Sequence, residues 1–222
     1  MSLAAQTQAE RAAAVLKGMI LANEMPPGSN HHETELARML GMSRTPVREA
    51  ALILEAQGLV ELRPRHGMRV LPLTVEDMEE IYQILIELEP LAAQLVAEAG
   101  RDQDDLVGLE RCLDAMERAL ERDDRAAWAE ADDRFHHGLV ALSGNRRLAL
   151  LVATYSDQVH RARMLTLHMR PAPVQSNADH RALFDAIRAG DGPEARRIHH
   201  AHRIRTKGLI SDLLQRSGLS RF

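Results

Sequence analysis

Two sets of side chains in this sequence have the types and spacing to do chemistry. The first is Ser43-Arg44-Thr45-Pro46-Val47-Arg48, in which two arginines stand one helical turn apart beside two small hydroxyls. A guanidinium can hold guanine O6 and N7 bidentately, and hydroxyls can take phosphate or base edges, so such a pair at a helix start suits a major groove. The second set is Asp132, His136, His180 and His202. One carboxylate and three neutral imidazoles form a donor set for a divalent metal that keeps positions open for a ligand.

The elements around the first set read as helix, tight turn, helix. Leu36, Ala37, Met39 and Leu40 give the apolar side of a short helix, Gly41 permits the turn, and Ser43 or Thr45 can cap the next helix. Pro46 falls in its first turn, where a missing N–H is harmless, and Val47, Ala50, Ala51, Leu54 and Leu59 are left for packing. Residues 59–62 and 68–71 then read as two short strands around Arg63-Pro64-Arg65-His66-Gly67, a basic wing placed for the backbone or minor groove. Six basic residues against three acidic ones between Arg38 and Arg69 set this stretch apart from an ordinary helical hairpin with a solvated arginine pair.

The second set depends on helical phase. Stepping about 100° per residue along 124–142 gathers Trp128, Phe135, Leu139 and Leu142 on one face, with Asp132 among them and His136 at the edge. Asp133 and His137 face away. The same construction puts His180 among Leu183, Phe184 and Ile187, and His202 among Ala195, Ile198, Leu209 and Leu213. A carboxylate buried without a partner is costly. Asp132 therefore needs either an ion shared with the histidines or an arginine, with each histidine bonded to a backbone carbonyl. Four inward groups together favour the metal. His199, one turn from His202, is the rival ligand, and His31, His32, His137, His160, His168 and His200 are read as surface or supporting residues.

Upstream, Ala4 to Ala22 has helical apolar spacing and Met25-Pro26-Pro27-Gly28-Ser29 ends it. Downstream of Leu71-Pro72-Leu73 no strand signal remains; helical segments fall at about 75–99, 103–121, 124–142, 146–168, 176–189 and 192–216. The expected fold is mainly α: a winged helix-turn-helix with a small β-wing over 1–72, then an antiparallel all-α bundle of six helices over 73–222.

Composition narrows the function classes. A length of 222 residues accommodates one large or two modest domains. The single cysteine, Cys112, rules out an internal disulfide and fits a reducing compartment. No apolar run approaches the roughly 20 residues of a membrane span, and Met1 to Gln8 is too short and uncharged for a secretory signal, so a cytoplasmic location is expected. The net charge of −4 divides unevenly: residues 1–72 hold eight Lys/Arg and seven Asp/Glu, the rest twenty and twenty-five. This favours a local DNA contact and argues against an architectural protein that coats nucleic acid by charge.

These features resemble the GntR family of bacterial transcription regulators, in the branch with a FadR-like all-helical C-terminal domain (FCD) of the shorter, six-helix VanR type. The resemblance rests on Pro27-Gly28-Ser29, Glu35-Leu36-Ala37, the run Gly41 to Ala50 with Gly58-Leu59-Val60, His66-Gly67, Asp132-Asp133-Arg134-Phe135-His136, Ser143-Gly144-Asn145, His180 and His202. It implies DNA contacts by Thr34, Ser43, Arg44, Thr45, Arg48, Arg65, His66 and Gly67. The family's metal ligands fall on the four residues already chosen by phase, and its effectors are often small carboxylates.

One departure stands out. Members commonly carry an arginine four residues before the glutamate of a Leu-Glu pair; here that position is Leu85, before Leu88-Glu89, so the pocket either uses another cation, Arg161 or Arg163, or takes a less acidic effector. The expectation is a homodimeric, ligand-responsive repressor that binds an inverted-repeat operator in double-stranded DNA. Its metal would be zinc, with nickel or manganese as alternatives. The competing reading, a metal-dependent hydrolase, needs a general base beside the open position, and no second inward carboxylate is evident near the four ligands.

Overall fold

The computed structural model describes residues 7–217, which divide into two compact units meeting between Thr74 and Val75. The first unit begins with α1 (Gln8–Leu21), which starts with a capping box. The Thr7 hydroxyl accepts from the Glu10 amide at 3.1 Å and the Glu10 carboxylate accepts from the Thr7 amide at 2.8 Å. The part of the expected helix from Ala4 to Gln6 lies outside the described residues.

The helix-turn-helix is α2 (Glu33–Leu40) and α3 (Arg44–Ala56). Gly41 turns between them at φ 63, a left-handed conformation that costs glycine little. Ser43 is the N-cap residue of α3, without a capping bond from its side chain, and Pro46 is buried in the first turn. On α2 only Leu36 and Ala37 are buried; Met39, expected inside, is 50% exposed, because so short a helix covers only one narrow face.

The wing is β2 (Val60–Arg63) and β3 (Gly67–Val70), paired antiparallel from Val60 opposite Val70 to Arg63 opposite Gly67. A third strand went unread in the sequence. β1 (Asn30–His31) pairs with the other edge of β3, giving the order β1-β3-β2. Two residues are too few to show an alternating pattern. Gly67 makes this pairing possible: its φ is +77, and a Cβ there would press into the His31 carbonyl oxygen. Leu16, Ile20, Val47, Leu54, Leu59, Met68 and Val70 close the core of this unit.

The second unit is all helix among its described residues: α4 (Val75–Glu98), α5 (Gln103–Glu121), α6 (Arg125–Leu142), α7 (Arg146–Leu165), α8 (Val174–Arg188) and α9 (Gly192–Ser217), with a single 3-10 turn at Leu167–Met169. α4 packs along α9, and α5 along α6. The core is built from Val96, Leu109, Leu113, Met116, Phe135, Leu139, Leu183 and Phe184. On α9 the expected apolar face is corrected. Leu209 is 37% exposed, and the buried stripe runs through Ala195, His199, His202, Arg203, Ile210 and Leu214. The helix is too polar for its few apolar residues to fix the phase. No helix among the described residues is long and apolar enough to cross a membrane.

Candidate metal centre and nucleic-acid interface

In the first unit, Thr34, Arg44, Arg48, Arg65 and Gly67 line one concave groove between the start of α2, the start of α3 and the wing; His32, Glu33 and Arg63 share it. Ser43, Thr45 and His66 are exposed outside its lining. Arg44 and Arg48 emerge one turn apart from α3, as their spacing requires. The Arg44 guanidinium meets the Glu33 carboxylate at 3.3 Å, across 11 positions that no helical spacing links.

In the second unit, α6 contributes Asp132 and His136, α8 contributes His180 and α9 contributes His202. All four are buried. A ring nitrogen from each of His136, His180 and His202 lies within 4.8 Å of the other two. Asp132 Oδ1 is 3.6 Å from Nε2 of His136 and 3.6 Å from Nε2 of His180. Donors bound to one ion at about 2.0–2.2 Å stand about 3.0–3.6 Å from each other.

The hydrogen-bond account points the same way. Asp132 Oδ1, His136 Nε2, both ring nitrogens of His180 and His202 Nε2 are buried without a hydrogen-bond partner. Buried polar atoms are nearly always satisfied, so a cluster of unpartnered ring nitrogens beside an unpartnered carboxylate oxygen fits a cation, with the proton of each neutral ring on its other nitrogen. Burial, with the nearby His202 ring second, pushes the pKa of His180 well below its ordinary value, and burial pushes His202 down to about 4 despite its bond to Asp179. Both rings are therefore in the neutral, metal-binding form near pH 7.

Asp132 also has the arginine that the sequence offered as its alternative partner: Arg163 Nη1 donates to Oδ2 at 2.6 Å. The two roles use different oxygens. Burial works to raise the Asp132 pKa, and Arg163 with His136 overrides it, holding the carboxyl well below the usual range.

A second inward carboxylate is present, contrary to expectation. Glu89 on α4 is 2% exposed, and its Oε2 receives Arg203 Nε at 2.9 Å and His199 Nε2 at 3.1 Å, with His136 Nδ1 also 3.1 Å away. His199, the rival ligand, is thus tied to Glu89. Burial favours protonation of Glu89, but Arg203 and the two histidines outweigh it and hold its pKa well below the ordinary value. An ion-paired carboxylate of that kind is a weak general base. A sequence signal existed, since Glu89 lies on the apolar stripe Ile81, Tyr82, Leu85, Ala92, Ala93, Val96.

Beside the ligand cluster lies a cavity of about 220 Å³, reaching Asp132 and His202 and walled by Trp128, Leu167 and Leu209. Arg163 lines it and Arg161, although buried, does not. Its other cations are Arg125, Arg170 and Arg205. Arg125 opens α6 and Arg170 lies in the connection after α7, where periodicity says nothing, and Arg205 lies within α9, whose few apolar residues do not fix its phase. Arg170 Nη2 donates to the Arg163 carbonyl at 2.9 Å, and burial together with the Arg163 charge lowers its pKa to about 10. Leu85 lines a separate space of about 350 Å³ with Glu89, His136, Arg163 and Arg203.

The depressed histidines make a pH prediction for chelator-treated protein. His202 titrates near 4 and His199 near 3 when folded, against about 6.5 when unfolded, so the unfolded chain takes up protons first. Their contribution is fully present above pH 6.5 and is lost as the pH falls toward 4. Each ring is expected to cost on the order of 1–2 kcal/mol by pH 5, read as a lower thermal midpoint at pH 5 than at pH 7.

Residues 8–70 match the family described as bacterial regulatory proteins, gntR family, and residues 80–205 match the FCD domain. The chain is 34% identical over 188 residues to the HTH-type transcriptional regulator YdhC of Bacillus subtilis (strain 168), covering 84% of each. It is 34% identical over 173 residues to a probable D-xylose utilization operon transcriptional repressor of Paenarthrobacter nicotinovorans, covering 78% of this chain and 75% of that protein. Among solved structures, E. coli McbR/YncC superposes with a TM-score of 0.77 at 23% identity, over 95% of this chain and 99% of that one.

Proposed function

Because the chain belongs to the GntR family of bacterial regulatory proteins, with an FCD domain following its DNA-reading module, we propose that it is a cytoplasmic, metal-assisted, effector-responsive repressor. It is a transcriptional regulator and not an enzyme. In this reading residues 1–72 bind operator DNA, residues 73–222 form the homodimer and hold the effector, and two modules read an inverted repeat. The repressor relative is the support for the direction of control.

The observation that carries the sensing half is the set of unpartnered buried atoms on Asp132, His136, His180 and His202 beside a cavity with arginines in its wall. These four residues fit a divalent ion, zinc first, with nickel or manganese accepted by the same donors. A bound ion supplies Lewis acidity toward an oxygen of the effector. Arg163 and Arg170 favour an acidic effector, a small carboxylate, and Trp128, Leu167 and Leu209 exclude water from its body. Coupling of about 1–3 kcal/mol between the effector site and the DNA site changes operator affinity by about 5- to 150-fold.

The test is fluorescence anisotropy of the DNA upstream of the protein's own gene, titrated with small organic acids with and without zinc. Release of DNA by an acid only when zinc is present supports the reading, whereas DNA binding indifferent to both removes the sensing role. In the same assay Arg44→Ala or Arg48→Ala is expected to weaken operator binding by about 1–3 kcal/mol for each lost base contact. Equal losses on operator and random DNA would mean phosphate contacts only.

A further inference from the structure

Three of the four candidate ligands are imidazoles, and a partner at the nitrogen turned away from the ion fixes a ring's tautomer and orientation. Neither nitrogen of His180 has such a partner, whereas His202 has one. His202 shows how this is done here. Its Nδ1 stands 3.2 Å from Asp179 Oδ2, while its Nε2 is the buried, unpartnered nitrogen directed at His136 and His180. A carboxylate at Nδ1 fixes the proton on that atom, leaves the Nε2 lone pair free and raises the basicity of the ring. Asp179 is one residue before His180 on α8, so it can secure a ring on α9 while its neighbour contributes a ligand from its own helix.

Asp179 is itself held from two sides. Gln175 Nε2 donates to its Oδ1 at 2.9 Å, and the Arg205 guanidinium closes on the same Oδ2 that receives His202. These partners keep it ionised against burial, and an ionised carboxylate is the stronger acceptor. Glu89 stands in a similar relation to His136, 3.1 Å from its Nδ1, within a cluster of its own. Glu89 is gripped by Arg203, whose guanidinium also lies 3.3 Å from His136 Nδ1, so the Glu89, His136 and His199 cluster already contains its cation. That cluster is filled by the arginine and is not a second ion site.

We propose that Asp179 is the positioning residue of the metal centre, orienting His202 through Nδ1 so that Nε2 completes the ligand set. The inference rests on the metal-centre reading above. Its test is zinc affinity of the full chain, measured by competition with a chromophoric chelator, alongside thermal midpoints of the chelator-treated proteins. Loss of an outer-shell partner of a metal-bound histidine weakens binding by about 10- to 100-fold. Asp179→Ala is expected toward the upper end of that range. Asp179→Asn, which keeps an oxygen for Nδ1–H but not the charge, is expected toward the lower end, and Gln175→Ala, which leaves the Asp179 to His202 contact in place, close to wild type. Graded affinities with similar chelated midpoints support the positioning role. Zinc affinities of all three variants within twofold of wild type overturn it and leave the metal centre standing, while a wild-type chain that binds no zinc removes both.

Discussion

Replacing Arg203 with leucine is expected to destabilise the helical unit by about 3–5 kcal/mol, because it leaves the Glu89 carboxylate buried without its cation. Arg203 is 2% exposed and meets Glu89 through both Nε and Nη2. His199 cannot substitute, since burial drives its pKa down to about 3. The cost belongs to the orphaned charge more than to the lost attraction, and a second change shows this. In Glu89→Gln with Arg203→Leu most of the stability should return, as it does when both members of a buried pair are removed together. Denaturant midpoints of the single and double variants measure it, and a double variant no better than Arg203→Leu alone would place the cost in packing.

The second large effect is expected at His180. The ring is fully buried, lies 4.8 Å from the Phe135 ring between centroids, and has no hydrogen-bond partner at either nitrogen. His180→Ala should cost stability with and without zinc through the cavity it opens, on the scale of about 2–5 kcal/mol seen for large-to-alanine core changes. The diagnostic part is the difference. Zinc at about 1,000 times its dissociation constant stabilises a folded protein by about 4 kcal/mol, and that increment should be present in wild type and absent in His180→Ala. Equal zinc-induced shifts in both proteins would return His180 to the role of a core side chain.

Both effects bear on what the amino-acid sequence could reveal. Asp132, His136 and His180 were legible because α6 and α8 carry enough apolar side chains, Trp128 and Phe135 on one and Leu183 and Phe184 on the other, to fix which way each helix faces. His202 was placed correctly from a face that was partly wrong. On α9 Leu209 leans outward, and His199 and Arg203 fill the interior in place of aliphatic side chains. Glu89 and Arg203 escaped notice for a related reason. Each is improbable inside a core by itself and becomes reasonable only beside the other, a pairing across 114 positions that no local pattern encodes. The turn of the helix-turn-helix was legible because Gly41 and Pro46 each answer a backbone requirement, whereas the side assigned to Met39 was not. The short β1 was not, since its reason for being extended is its partner on β3.

That strand also ties two parts of the DNA-facing surface into one mechanical piece. β1 ends at His31, two positions before Glu33 opens α2, and is sewn to the wing through Asn30 opposite Arg69 and His31 opposite Met68. The hairpin carrying Arg65 and the start of α2 carrying Thr34 are therefore joined through one sheet. Loosening the hairpin is expected to weaken operator binding even with Arg44 and Arg48 intact, read in the same anisotropy assay.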